Sequence, residues 1–204
     1  MIAIIDYGVG NLYSLSRSLD SLNLENKVTR DEAELRSADK IILPGVGAFG
    51  DAMAKLEGTG LVPVVRERAS AGVPLLGICL GMQLLFEKGY EYGEHDGLGL
   101  LTGEVKPMIR DLPSGLKVPH IGWNALNIRR ECPILKYARE GDCVYYVHSF
   151  YAVGCEDEIA ATSEYGVPVV GVVQRGSVYG TQFHPEKSGR VGLSILKAFG
   201  EVAA

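Results

Sequence analysis

Cys79 stands in Gly77-Ile78-Cys79-Leu80-Gly81, where an apolar run meets a segment with helical spacing. A thiol carried on a tight strand-to-helix turn is the nucleophile-elbow arrangement, with cysteine in place of serine. The flanking glycines permit a turn in which side chains would clash. Amides at the helix start and the helix dipole favour the thiolate, and the amide after the nucleophile, that of Leu80, can stabilise an oxyanion. Taken alone, the turn also fits a small buried cysteine with no chemistry. A partner base separates the two readings, and Gln182-Phe183-His184-Pro185-Glu186-Lys187 offers one at the end of a strand-like run. His184 and Glu186 are two apart, so in extended chain they share a side. Pro185 favours extended backbone at His184. A carboxylate on one imidazole nitrogen leaves the other free to exchange a proton with a thiol.

Other readings of His184 fare less well. H-x-E also occurs in zinc deaminases, which need a following P-C-x-x-C; no cysteine follows Cys155, and H-E-x-x-H is absent. A purely structural histidine stays open. His95, His120 and His148 lack such a carboxylate and read as structural or interface groups, with His148 in the segment 145–150 falling near the site. Gly45-Val46-Gly47-Ala48-Phe49-Gly50 matches G-x-G-x-x-G after the run Ile41-Ile42-Leu43. That fingerprint belongs to the first βα turn, and this is a later one. The alternative is a loop whose amides lie beside the nucleophile, where bare backbone can approach a developing oxyanion.

These residues need a scaffold. Ile2–Ile5 is wholly apolar and stops at Asp6-Tyr7-Gly8, as a buried parallel strand does. Leu12, Leu15, Leu19 and Leu22 recur at helical spacing behind Asn11, a plausible cap. Strands are expected at 27–30, 40–43 and 74–78. Helices are expected at 31–37, over 50–71 in two pieces broken around Gly58–Gly60, and from about Leu80 to Lys88. From Leu98 to Gln182 the chain is rich in Val, Tyr, Ile and Gly, with strands over 143–147, 169–174 and 178–183, and a last helix follows from about 189 to 203. The alternation predicts an α/β fold with a largely parallel central sheet flanked by helices, and additional antiparallel strands in the second half.

The 204 residues suit one compact domain, 1–204, and 47% hydrophobic residues supply one sizeable core. A net charge of −5 gives no reason to expect nucleic acid. The apolar start ends at Asp6 with no basic region before it, and the stretch Gly72–Phe86 is too short to span a bilayer. A soluble cytoplasmic protein is expected, with no membrane partner. The four cysteines lie far apart with no C-x-x-C pair, so neither a disulfide framework nor a metal site is expected.

With these residues assembled, the chain resembles the class I (triad) glutamine amidotransferases. More narrowly, it resembles the glutaminase subunit family of imidazole glycerol phosphate synthase, from histidine biosynthesis. The matching pieces run in family order: Asp6-Tyr7-Gly8 with Gly10-Asn11, Leu43-Pro44-Gly45-Val46-Gly47-Ala48-Phe49, Gly77 to Glu87, Gly97-Leu98-Gly99, His120-Ile121-Gly122-Trp123-Asn124, and Gln182 to Ser188. The resemblance implies a flavodoxin-like amidotransferase fold. It also implies no cofactor and a Cys79–His184–Glu186 triad that hydrolyses glutamine to glutamate and ammonia through a glutamyl thioester. Gln83, Glu91, Ser149 and Phe150 match positions that hold the substrate. Gly45, Val46 and Gly47, with Leu80, match the oxyanion loop and its partner amide. Asn11, Trp123, Asn124 and Lys187 match positions facing a cyclase subunit, a (β/α)8 barrel in a heterodimer that uses the ammonia to turn a phosphoribulosyl ribonucleotide (PRFAR) into imidazole glycerol phosphate and AICAR. Trp123 as a core aromatic and Lys187 as a solvated charge remain open. So do two other functions: a glutaminase serving a different synthase, and a non-catalytic module that keeps only the fold.

Overall fold

A computed structural model describes residues 1–203. The first half alternates strand and helix: β1 (Ile2–Ile5), α1 (Leu12–Ser21), β2 (Asn26–Thr29), α2 (Glu32–Ser37), β3 (Lys40–Gly45), α3 (Phe49–Gly58), α4 (Val62–Ser70), β4 (Leu75–Cys79) and α5 (Leu80–Gln83). The second half is strand-rich: β5 (Lys88–Gly89), β6 (His95–Asp96), β7 (Glu104–Pro107), β8 (His120–Ala125), β9 (Asn127–Ile128), β10 (Cys143–His148), β11 (Phe150–Val153), β12 (Ile159–Glu164), β13 (Pro168–Arg175), β14 (Val178–Thr181), closed by α6 (Gly189–Glu201). Asn11 caps α1 by accepting from the Ser14 amide, and Asp31 caps α2 through the Glu34 amide. The break between α3 and α4 falls at Gly60, whose φ of +75° a side chain rarely tolerates.

The main sheet runs β2-β1-β3-β4-β14-β13-β12-β9. Its first five strands are parallel and the rest pair antiparallel. Alternation along the strands divides the core in two. Ile2 and Ile4 join Leu15, Leu19, Leu196 and Phe199 under α1 and α6, whereas Ala3 and Ile5 join Leu56 and Val65 under α3 and α4. Covered on both faces, β1 and β4 are buried throughout, which is why they read as unbroken apolar runs. Parallel neighbours end at the same edge, so the carboxyl ends of β3, β4 and β14 bring Gly45, Cys79 and the residues after Thr181 together. Two smaller sheets, β10–β8 and β11-β7-β5-β6, stand beside that edge.

Two expectations are corrected. The helix expected over 80–88 is only the four-residue α5. Its continuation is pre-empted because the carbonyls of Leu84, Leu85, Phe86 and Glu87 accept from amides in Gly97–Leu101 instead. The chain therefore turns, with Leu84, Leu85 and Phe86 fully buried, and Lys88 starts a strand. Nor does the chain run extended from His184 to Glu186. His184 itself is extended (φ −95°, ψ 101°), as Pro185 requires, but Pro185–Lys187 forms a 3-10 turn. Among the described residues no helix is long and apolar enough to cross a membrane.

Candidate active site

Cys79 sits at φ +54°, ψ −112°, a backbone conformation that costs a non-glycine residue about 1–3 kcal/mol. Three glycines hold it there. A Cβ on Gly81 would lie 1.8 Å from the Leu43 carbonyl oxygen, one on Gly77 2.7 Å from the Gly81 oxygen, and one on Gly45 2.7 Å from the Gly81 nitrogen. The bare backbone lets α5 press onto the ends of β3 and β4, and the strand-to-helix reversal throws the thiol outward. Tyr7 braces the same corner, its buried hydroxyl donating to the Pro44 carbonyl at 2.7 Å.

The thiol faces a cavity of about 300 Å³, lined by Val46, Gly47, Leu80, Gln83, Glu91, Val147, His148, Ser149, Phe150, His184 and Lys187. All four residues expected to hold the substrate lie in this wall, as do the oxyanion positions except Gly45, which packs beneath Leu80. Leu80, first in α5, offers an amide without an intrahelical partner.

His184 is held from behind. Its Nδ1 donates to Glu186 Oε1 at 2.9 Å, and both side chains are almost wholly buried. Burial works against a charged ring. It is outweighed by hydrogen bonding to the Cys79 sulfur and then to the Glu186 carboxylate, which raise the His184 pKa to about 9. With α5 a single turn, few peptide dipoles align on the sulfur, so the main positive charge opposite it is the His184 imidazolium. His148, also in the wall, behaves oppositely. Burial, together with the proximity of His120 and His184, outweighs its hydrogen bond to the Phe150 carbonyl and lowers it to about 4. Of the two histidines in the wall, His184 is therefore the one favoured in its charged form at neutral pH.

Gln182 went unassigned in the sequence, and it joins the parts. Its Nε2 donates to Cys79 Sγ at 3.8 Å, while its Oε1 accepts from Gln83 Nε2 at 3.0 Å; Gln83 Nε2 also donates to the Phe150 carbonyl. The signal was available, since Gln182 lies two residues before His184 and alternation puts both on one side.

The positions expected to face a partner divide. Trp123, on β8, is 56% exposed and leans on Tyr145, so it is not a core aromatic. Lys187 is exposed at the pocket mouth. Asn124 is engaged inside the protein, 2.8 Å from His120 Nε2 and donating to the Glu164 carbonyl, while His120 meets His148 at 3.0 Å. Asn11 is occupied with capping α1.

Comparison with known proteins agrees with this geometry. The family model described as "Glutamine amidotransferase class-I" matches residues 3–201. The chain is 50% identical over 202 residues to the "Imidazole glycerol phosphate synthase subunit HisH" of Listeria monocytogenes, covering 99% of this chain and 96% of that one. It is 52% identical to the protein of the same name from Moorella thermoacetica, covering 98% and 94%. In fold it resembles a crystallised glutamine amidotransferase (TM-score 0.75, 20% identity, 98% of this chain and 100% of that one). It also resembles a chain of PurLQS from Thermotoga maritima (TM-score 0.75, 20% identity, 97% and 96%). The elbow cysteine, its braced histidine and these matches lead to one placement: the chain belongs to the class-I glutamine amidotransferases and, among them, to the HisH family.

Proposed function

We propose that the whole chain is one amidotransferase domain that hydrolyses glutamine with Cys79 as nucleophile, His184 as acid and base, and Glu186 as the group that orients His184. It serves as the glutaminase subunit of an imidazole glycerol phosphate synthase. The observation that carries this reading is the strained Cys79 opposite a buried, Glu186-bound His184 at the wall of a cavity of about 300 Å³. The Cys79 thiolate attacks the side-chain carbonyl carbon of glutamine. The oxyanion formed meets the Leu80 amide and those of the Val46–Gly47 loop. The His184 imidazolium gives its proton to the departing nitrogen, the C–N bond breaks, and ammonia leaves a glutamyl thioester. Water then attacks that thioester and yields its proton to His184. The C–S bond breaks, glutamate departs, and thiolate and imidazolium are restored.

Gln83, Glu91, Ser149 and Phe150 hold the glutamine, with Glu91 suited to its ammonium group. Exposed Trp123 on β8 and Lys187 at the pocket mouth belong to the surface that docks on a cyclase (β/α)8 barrel, which receives the ammonia and converts PRFAR to imidazole glycerol phosphate and AICAR. Mixing the protein with a purified cyclase barrel is expected to give a stable heterodimer whose cyclisation runs on glutamine and whose glutaminase activity rises when the cyclase is loaded. Absence of both complex and glutamine-driven cyclisation would remove this assignment.

A further inference from the structure

Glu91 does something in this structure besides lining the pocket. Its Oε2 accepts a hydrogen bond from the Phe49 backbone amide at 2.9 Å. Phe49 is the first residue of α3, and the residue before it, Ala48, has no side chain able to cap the helix. An α-helix leaves its first amides without internal partners, and a carboxylate there is favoured by both hydrogen bond and dipole. Glu91 thus caps α3 from a distant part of the chain. Two further contacts make the same grip. A Cβ on Gly89 would meet the Phe49 ring at 2.5 Å, and one on Gly50 would meet the His95 ring at 2.5 Å. His95 Nε2 lies 3.1 Å from the Glu91 carbonyl oxygen. The segment 89–95 therefore clasps residues 49 and 50 through close packing and one charged hydrogen bond.

The chain just before Phe49 is the oxyanion loop. Gly45 is fixed in β3 beside Cys79, and Phe49 is fixed by Glu91. Between these anchors lie Val46, Gly47 and Ala48, with Gly47 at φ +99°. A loop this short takes its amide directions from its two ends. We infer that Glu91 is a positioning residue for the oxyanion loop: its carboxylate anchors Phe49 through Oε2 while facing the substrate pocket, so the group that receives the substrate's ammonium also sets the amides that meet the oxyanion. This rests on the glutaminase reading above and adds a second role to a residue that reading uses only for binding.

The two roles separate in a pair of variants, each assayed in complex with the cyclase barrel. Glu91→Gln loses the charge but keeps an oxygen that can accept from Phe49. Glu91→Ala loses both. Glu91→Gln is expected to raise KM for glutamine about tenfold with kcat within about twofold of the parent, since uniform binding is lost and the anchor kept. Glu91→Ala is expected to raise KM similarly and also to lower kcat by about tenfold or more, the mark of an interaction needed in the transition state. Ammonia-driven cyclisation should stay at the parent level in both. Equal kcat in the two variants would overturn the anchoring role. So would parallel loss of glutamine- and ammonia-driven turnover in Glu91→Ala, because the carboxylate would then be serving the fold as a whole. A parent complex with no glutaminase activity would instead remove the reading on which the inference rests.

Discussion

At the scale of single residues, the site works by setting two histidines apart. His184, paired with Glu186 and the Cys79 sulfur, is favoured in its charged form; His148, buried between the Phe150 carbonyl and His120, is favoured neutral. Glu186→Gln should hold the ring in place but weaken its charge support, lowering kcat by about 10²-fold, as expected for impaired acid–base catalysis, and by less than loss of the nucleophile. Steady-state kinetics with glutamine measure this. Gln182→Ala removes the amide that touches both Cys79 and Gln83. It should lower kcat/KM by about tenfold, one or two hydrogen bonds' worth, with ammonia-driven turnover unchanged. The nearness of Cys79, His184 and Glu186 was legible in residue types, although Glu186 reaches His184 through a 3-10 turn and not through the extended chain that a two-residue spacing suggests. Gln182 was only half legible: its spacing from His184 puts both on one side, but its contacts with Cys79 and Gln83 follow only once β14 is seen to end beside β4. The cap formed by Glu91 on Phe49 joins residues 42 positions apart and has no local signature.

At the scale of elements, the elbow depends on helix and strands touching without side chains between them. Gly81→Ala would drive a methyl group into the Leu43 carbonyl, so it should cost about 3 kcal/mol or more, the upper end of overpacking penalties. Gly58→Ala, at the end of α3 with nothing near the added methyl, should be neutral or stabilising by about 0.5 kcal/mol. Denaturant midpoints of the two variants make the comparison; equal losses would show that the close approach at Gly81 is not needed. The apolar runs of β1, β3 and β4, the Asn11 cap and the break after Gly58 were readable because each follows from local pattern. The length of α5 was not. Helical spacing continues through Phe86, but the carbonyls are captured by residues 97–101, a tertiary competition that periodicity cannot register.

At the scale of the whole molecule, three strand ends, two small sheets and one clasping segment converge on one pocket, and the same histidines tie its stability to pH. His184, raised from 6.5 to about 9, contributes stability that is complete below pH 6.5 and lost as pH climbs through 9. His148, lowered from 6.5 to about 4, has the opposite sign: the unfolded chain takes up the proton first, so stability falls as pH drops from 6.5 towards 4. The Tm contribution of this pair should peak near pH 6.5, and His148→Asn should flatten the acid limb alone in melting curves across that range. On the outer face, Trp123→Ala should weaken binding to the cyclase barrel by about tenfold or more, as loss of an exposed aromatic anchor does, with Tm unchanged. Titration by calorimetry reads that loss directly.

The central claim is that Cys79 carries the glutamine chemistry. The measurement that tests it is turnover of the Cys79→Ser protein in complex with the cyclase, with glutamine and with ammonia as alternative nitrogen donors. Loss of glutamine-driven cyclisation with ammonia-driven cyclisation intact is the expected result. Undiminished glutamine-driven turnover in that variant would contradict it.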